Sequence, residues 1–346
     1  MMNMRLFTTL LLMAFLGLLQ AQDQHFTQFF ASPLTLNPAI TGAFDGKYRL
    51  ALIYRDQDPF RTFSGAIDLR FNLGQVGGRY KDAFGVGMVF YNDKVPEEGY
   101  SNNQIMVSGG FHKSLSRNND QFLSVGMQAG ISQRNFSYTG LTFDDQFSGA
   151  DGYTQDTEEI LPENNFSISD FAIGLNYAYS PARKTGFFVG ASMHHIFEPN
   201  IGLFYDPDNE TLYEESRLFR KYSAYVSLSV PFGENIRLQP RALVYSQGPH
   251  LAMNAGSNIR LLINDISGTA LHLGAWARPV SDAGNNLFLD AVVGLVGIEF
   301  SDVLIGVSYD AKMNAIGAGR DRRGALEVSV AYLGHYEDEI VLCPEF

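Results

Sequence analysis

The chain has 346 residues, a formal net charge of −12, 27 Phe, 17 Tyr and a single Cys, and only 18% of its residues are charged. The negative balance excludes a nucleic-acid binder, which needs basic surface to meet phosphates, and one cysteine excludes an internal disulfide framework. Many aromatics among few charges fit the girdles and apolar band of a membrane barrel, and no linker-like stretch divides the sequence.

At the start, Arg5 precedes the apolar run Leu6 to Leu19, and Leu19-Gln20-Ala21 offers a small residue for cleavage. Residues 1–21 therefore read as a signal peptide cut after Ala21. The run is shorter than the ~20 residues a spanning helix needs, and no second long apolar run follows. An exported chain of this kind enters a membrane as strands, because only helices and closed barrels satisfy every backbone group in lipid. Residues 22–46 read as a short irregular segment at the periplasmic mouth or in the lumen. Within it Asn37-Pro38 has the chemistry of a turn, and Gly42 is free to take positive φ.

From Lys47 to Gly334 the chain returns to segments of roughly ten residues that alternate apolar with small or polar side chains. Phe63, Ile67, Leu69 and Phe71 share one face with Gly65, whereas Thr62, Ser64, Ala66, Asp68 and Arg70 share the other. A face carrying Asp and Arg suits a polar lumen, not a dry sandwich. Strands are expected near 47–56, 61–71, 83–92, 103–113, 121–133, 168–179, 185–196, 219–230, 235–246, 251–263, 269–278, 286–298, 302–312 and 324–333. The fold class is thus an all-β transmembrane antiparallel barrel of about 14 strands, an even number as such barrels require. Odd-numbered connections include the long 134–167 and 197–218, while even ones are mostly tight. That sorting places the long loops outside and both termini on the periplasmic side. Residues 335–346 form a tail, in which Cys343 reads as an exposed thiol.

The two long loops are acidic and are the candidate partner-binding surface. The first carries Asp144, Asp145, Asp151, Asp156, Glu158, Glu159 and Glu163, and the second Glu198, Asp206, Asp208, Glu210, Glu214 and Glu215. A solvated surface kept soluble by charge is the plainer reading of the same residues. Loose divalent cation binding by these carboxylates is a further expectation. Asp206, Asp208 and Glu210 alternate as in a calcium loop, but Thr211 stands where the turn glycine belongs.

Other chemical patterns are incomplete. His194 and His195 are adjacent on an expected strand, so their side chains should leave opposite faces and cannot chelate one metal. Gly85-Val86-Gly87 lacks the third glycine and strand-to-helix turn of a nucleotide loop, and reads as glycine used where strands bend or pack closely. Ser308 in Gly306-Val307-Ser308-Tyr309-Asp310 sits mid-strand rather than on a nucleophile elbow. No enzyme and no cofactor is expected. Asp68, Arg70, Arg241, Arg260, Asp290 and Glu327 should face the lumen, pairing across it to fill it or outlining a permeation path.

The opening Gln24-His25-Phe26-Thr27-Gln28-Phe29-Phe30, followed by Leu36-Asn37-Pro38-Ala39-Ile40-Thr41-Gly42, resembles the start of the PorP/SprF family of type IX secretion-associated outer-membrane proteins. Tyr54-Arg55-Asp56-Gln57 is similar to its Tyr-Arg-x-Gln element, Gly190-Ala191-Ser192 with His195 to its Gly-x-Ser-x-x-His, and Gly306 to Asp310 to its Gly-x-Ser-Tyr-Asp. Cys343-Pro344-Glu345-Phe346 resembles its Cys-Pro-x-Phe ending, although Glu345 stands where the family often has a basic residue. Ile40 and Asp58 replace aromatics common in the family. The resemblance implies a Bacteroidetes-type outer-membrane barrel that works with type IX export machinery in secreting, or holding at the cell surface, large proteins and gliding adhesins. A channel for small hydrophobic solutes is the alternative. A continuously apolar lumen would favour the channel, and charges paired across the lumen would favour a filled scaffold.

Overall fold

A computed structural model describes residues 23–335 except 24, 74–80, 150, 160, 162, 182–183, 203–215, 266, 282–285 and 314–323. Fourteen strands follow the alternation in the sequence: β1 (Tyr48–Gln57), β2 (Phe60–Asn72), β3 (Ala83–Val95), β4 (Tyr100–Ser114), β5 (Gln121–Phe136), β6 (Asn165–Tyr179) and β7 (Gly186–His194) form the first half. The second half is β8 (Lys221–Phe232), β9 (Ile236–Gln247), β10 (His250–Asn264), β11 (Thr269–Ser281), β12 (Leu287–Phe300), β13 (Val303–Lys312) and β14 (Ala325–Gly334). Each strand pairs antiparallel with its sequence neighbours, and β1 pairs with β14 to close the barrel. Closure leaves no edge, so every ladder group finds a partner without water.

The pleat separates two solvents. On β2, Thr62, Ser64, Ala66 and Asp68 are buried inside, while Ile67, Leu69 and Phe71 are exposed outward, as the alternation required. Outward Leu50, Leu52, Ile105, Val107, Leu175, Val296 and Ile298 continue an apolar belt around the barrel. β5 and β7 end, and β6 and β8 begin, at one end, here called the loop end. β1 begins and β14 ends at the opposite, turn end, where the connections 233–235 and 301–302 are tight.

Alternation fails at two places. His195 takes φ 57°, and its ring lies 6.3 Å from that of His194. Both histidines are buried, so they do not leave opposite faces as strict alternation predicted. Asp290 sits at a register shift between β11 and β12, and that bulge leaves it on the lumenal side expected of it, 3.0 Å from Arg278.

The segment before β1 lies inside the barrel and crosses it, with Asp23 at the loop end beside Gln247 and His195, and Gly46 at the turn end beside Gly334. Residues 23–46 thus occupy the lumen, one of the two places the sequence offered for them, while both termini, expected on the periplasmic side, lie outside the described residues. Three short helical turns, Phe29–Ala31, Pro33–Leu36 and Pro38–Ile40, fold this plug.

Candidate functional site: a clamped lumenal plug

The plug supplies the apolar core that a barrel wall alone lacks. Phe29, Leu36 and Ile40 pack with Tyr225, Leu243, Tyr245, Trp276 and Val293 on one side, and Leu34 packs with Ala51, Ala66, Val89 and Met106 on the other. Trp276 stacks on Phe30 at 5.8 Å and meets Phe29 edge-on at 5.7 Å.

Its polar groups are held by charged residues of the wall. Glu327 accepts the backbone N–H of Thr27 at 2.7 Å and of Gln28 at 2.8 Å, and pairs with Arg55. Asp310 lies 3.0 Å from Arg55 and 2.6 Å from Arg278, and accepts the Thr27 hydroxyl at 2.7 Å. Gln28 donates to Ser308 at 2.9 Å and accepts from Ser329 at 2.8 Å. Desolvated charges persist only when paired and hydrogen-bonded, and here the plug adds two backbone N–H bonds to Glu327 and the Thr27 hydroxyl to Asp310. Gln57 accepts from Arg55 at 2.6 Å and so orients the guanidinium.

A second clamp grips the lower plug. Arg49 holds Asp68 through two N–H bonds of 3.0 and 2.8 Å, and Asp68 accepts the N–H of Gly42 at 2.8 Å. Arg70 donates to the Gly42 carbonyl at 2.8 Å. Asn37, fully buried, accepts from Ala39 N–H to start the last turn and donates to Leu175 O at 2.9 Å. His112 donates through Nε2 to Thr41 O at 2.8 Å, so its Nδ1 accepts from Ser124 at 2.7 Å.

Glycines on β3 to β6 make room for this stretch. A Cβ on Gly110 would stand 2.6 Å from Thr41 O, and Cβ atoms on Gly85, Gly126 and Gly174 would overlap Thr41, Pro38 and Asn37. Gly42 itself has φ +76°, and a Cβ there would meet Gly85 Cα at 2.6 Å. Gly85 is thus glycine for close packing, as read from the sequence.

At the loop end Asp23 lies 2.6 Å from His195 Nε2 and 3.5 Å from Lys221, while Asp170 lies 2.8 Å from His195 Nδ1. Burial alone would lower the pKa of His195, just past β7, but the two carboxylates outweigh it and raise it to about 9. Two cavities flank the plug: about 450 Å³ at the loop end beside His25, Tyr91 and His195, and about 620 Å³ opening at the turn end beside Gly268, Asp302 and His335.

The residues singled out in sequence divide between these regions. Asn37, Pro38, Ala39 and Gly42 form the lower plug, and Arg55 and Gln57 form the upper clamp, whereas Tyr54 is 40% exposed on the outer face. Of the lumen charges, Arg260 pairs with Glu299 at 2.7 Å, and Asp290 with Arg278. Asp144, Asp145, Asp151, Asp156, Glu158, Glu159 and Glu163 are all exposed on the first long loop. That loop has internal order: Asp145 accepts from Glu158 N–H at 2.5 Å and the Thr157 hydroxyl at 2.9 Å, which holds its carboxyl below the usual range, and Phe147 packs on Tyr153 at 5.4 Å. Asp206, Asp208, Glu210, Glu214, Glu215, Ala21, Cys343, Pro344 and Phe346 lie outside the described residues. Among the described residues no three His, Cys, Asp or Glu side chains converge as a metal site. The sequence reading missed Asp310, Arg278, Arg49 and Gln28 as clamp residues; lumenal parity was the available signal for the three strand residues, and none marked Gln28.

No curated protein matches the sequence. Solved structures of similar fold include the TodX monoaromatic hydrocarbon channel in a deltaS2 mutant form, with TM-score 0.50 and 10% identity over 89% of this chain and 94% of that one. The CymD monoaromatic hydrocarbon channel gives TM-score 0.46 and 10% identity over 89% and 94%. CdiB from Escherichia coli gives 0.44 and 9% over 84% and 63%. Likeness at such identities bears on architecture alone. The family model described as type IX secretion system membrane protein PorP/SprF matches residues 18–332. With a closed 14-strand barrel around a clamped N-terminal plug, this chain belongs to the PorP/SprF family of type IX secretion system membrane proteins and is an outer-membrane barrel.

Proposed function

We propose that this barrel is a non-enzymatic scaffold that assists secretion, or holds a large secreted protein such as a gliding adhesin at the cell surface, through its outer loops and contacts with the type IX machinery. The observation that supports this reading is the plugged lumen, where Arg55, Arg278, Asp310 and Glu327 pair around Thr27. Charges spent on fixing a plug suit a rigid platform. A path for hydrophobic solutes would want an apolar, continuous lining, so the channel alternative is the weaker reading.

The first loop is the proposed contact surface, because its carboxylates are exposed on a framework ordered by Asp145 and the Phe147–Tyr153 pair. Exposed charges attract a basic partner surface, or bind one through bridging divalent cations, and are screened by salt. Replacing Asp144, Asp145, Glu158 and Glu159 by Asn or Gln should lower retention of the partner on intact cells while the barrel still folds. Loss of retention in chelator assigns cation bridging, and loss in salt alone assigns direct pairing. Retention that survives both this fourfold change and deletion of 146–162 would reject the loop as the contact surface.

A further inference from the structure

We infer that the loop end of β6 is a docking edge for an extended, basic segment of a partner protein, which adds to the barrel wall as an extra strand. The inference deepens the reading of the loop end as the contact face and rests on it for the charge of the partner. β6 pairs with β5 along its whole length, from Asn165 to Tyr179, but β7 reaches only to the pair Ala172–His194. Residues 165–171 therefore stand clear of β7 with one side open, about 23 Å of strand at ~3.3 Å per residue. In an antiparallel strand the N–H and C=O of one residue point to the same side, and the side alternates along the chain. The Phe136 N–H bonds Asn164 O on the β5 side, so the even residues of this stretch face β5 and the odd ones face away. Phe171 closes the junction: its C=O accepts the Ile196 N–H at 3.2 Å, and its N–H donates to the Asp170 carboxylate at 2.8 Å. Beyond it, the edge-facing backbone groups of Ser169, Ser167 and Asn165 meet no hydrogen-bond partner among the described residues, and all three residues are exposed.

The open edge lies in water. Outward residues on β5 run from Met127 and Ile131 to Gln133, and on β6 from Ile173 and Phe171 to Ser169 and Ser167, so the apolar belt stops where the edge starts. Edges exposed to water are commonly blunted by Lys, Pro or a bulge. The stretch Asn165 to Phe171 has no Lys or Pro, its register with β5 is unbroken, and its single charge, Asp170, is held by His195 at 2.8 Å. Phe166 and Ile168 point to the lumenal side, half-buried, and Ser167 and Ser169 to the outer side. A strand added here thus sets apolar β-branched residues opposite the first pair and polar ones opposite the second. The connection 137–164 leading into β6 carries seven carboxylates and no Lys or Arg. Those charges attract a basic segment and repel the same loop of a second copy.

The full barrel in dodecyl maltoside micelles is titrated, by fluorescence anisotropy, with a labelled heptapeptide amide that alternates lysine with valine. The control is the same peptide N-methylated along its backbone, which keeps the charge and removes the donors. The parent peptide should bind saturably and at least tenfold more tightly than the methylated one. Ser167→Pro removes an edge N–H and no bond to β5, and should weaken the parent peptide at least tenfold while the heat-modifiable barrel band is retained. Amide exchange at Ser167 and Ser169 should be fast in the free barrel and slowed by the parent peptide. Absence of saturable binding, equal affinity for the two peptides, or undiminished affinity in Ser167→Pro overturns the proposal. Slow exchange at Ser167 and Ser169 in the free barrel would show that the chain covers this edge itself, and a dimer that Ser167→Pro dissociates would assign it to a second copy; either overturns the proposal. Should Ser167→Pro fail to fold, the peptide pair decides on the wild type. Equal binding of both peptides that vanishes when Asp144, Asp145, Glu158 and Glu159 are neutralised overturns the edge and leaves the loop as contact surface. A preference for the parent peptide that outlives this neutralisation keeps the edge and removes the loop carboxylates from the contact.

Discussion

Removing the Arg55 guanidinium should undock the plug without opening the barrel. Arg55→Met leaves Asp310 and Glu327 facing each other across the site of the lost cation, with Arg278 alone to balance them. Breaking a buried pair by deleting one partner costs about 3–5 kcal/mol, which is roughly two to four powers of ten in the docking equilibrium. The barrel ladder at residue 55 is backbone-made and stays. The sensor is Trp276, the only tryptophan, whose contacts with Phe29 and Phe30 exist only while the plug is seated. Urea titration of its fluorescence should show an early plug transition in Arg55→Met, well below the urea at which the heat-modifiable barrel band is lost. Replacing both partners, Arg55→Met with Glu327→Met, removes the stranded charge and should recover part of the loss, despite forfeiting the Thr27 and Gln28 N–H bonds. An unshifted transition in the single variant, or a double variant as damaged as the sum of both singles, would refute the view that these charges are a coupled clamp.

Other outcomes follow from the same geometry. Leu69→Arg should reduce the yield of heat-modifiable barrel by placing a cation in lipid at ~2–4 kcal/mol, whereas Asp68→Leu should spare barrel yield and loosen the plug, because Asp68 is buried against Arg49 and Gly42. Gly85→Ala should destabilise the docked plug by about 1–3 kcal/mol through overpacking, while Gly294→Ala, where a Cβ meets nothing within 4 Å, should be silent in the same urea titration. His195 has its pKa raised to about 9 when folded, so its contribution is complete below its ordinary value near 6.5 and is lost as pH rises through about 9. Amide exchange at residues 25–28 should accelerate across that window in wild type and lose the pH-dependent step in His195→Gln.

The wall of the barrel was readable because lipid and lumen impose a period of two, and β2 or β14 cannot satisfy both solvents in any other register. Asp68 and Glu327 could be placed inside by parity alone. Their partners could not, since Thr27 and Gln28 belong to a segment with no periodicity, whose path is set by contacts with nearly every strand. Parity also breaks where the backbone breaks: a positive φ turned His195 to the side that alternation denied it, while a bulge accompanies the lumenal place that was expected of Asp290. Resemblance located Asn37, Gly42, Arg55 and Gln57 as a set, and only the folded chain relates them, as grips on one plug.

The closing seam of the barrel and the lock on its plug share the same atoms. Arg55 on β1 and Glu327 on β14 are register partners across the β1–β14 ladder, and both touch Thr27. The segment that leaves the export channel first thus waits for groups encoded 280 to 301 residues later before it can settle. Such long sequence separation makes this the slow, late contact of assembly. A sheet closed before the plug is seated would hold Glu327 without the Thr27 and Gln28 amides, and Arg55 and Asp310 without the Thr27 hydroxyl. The seam that shuts the barrel and the seat that holds its plug are therefore built from one set of side chains, so a change at either is felt at the other.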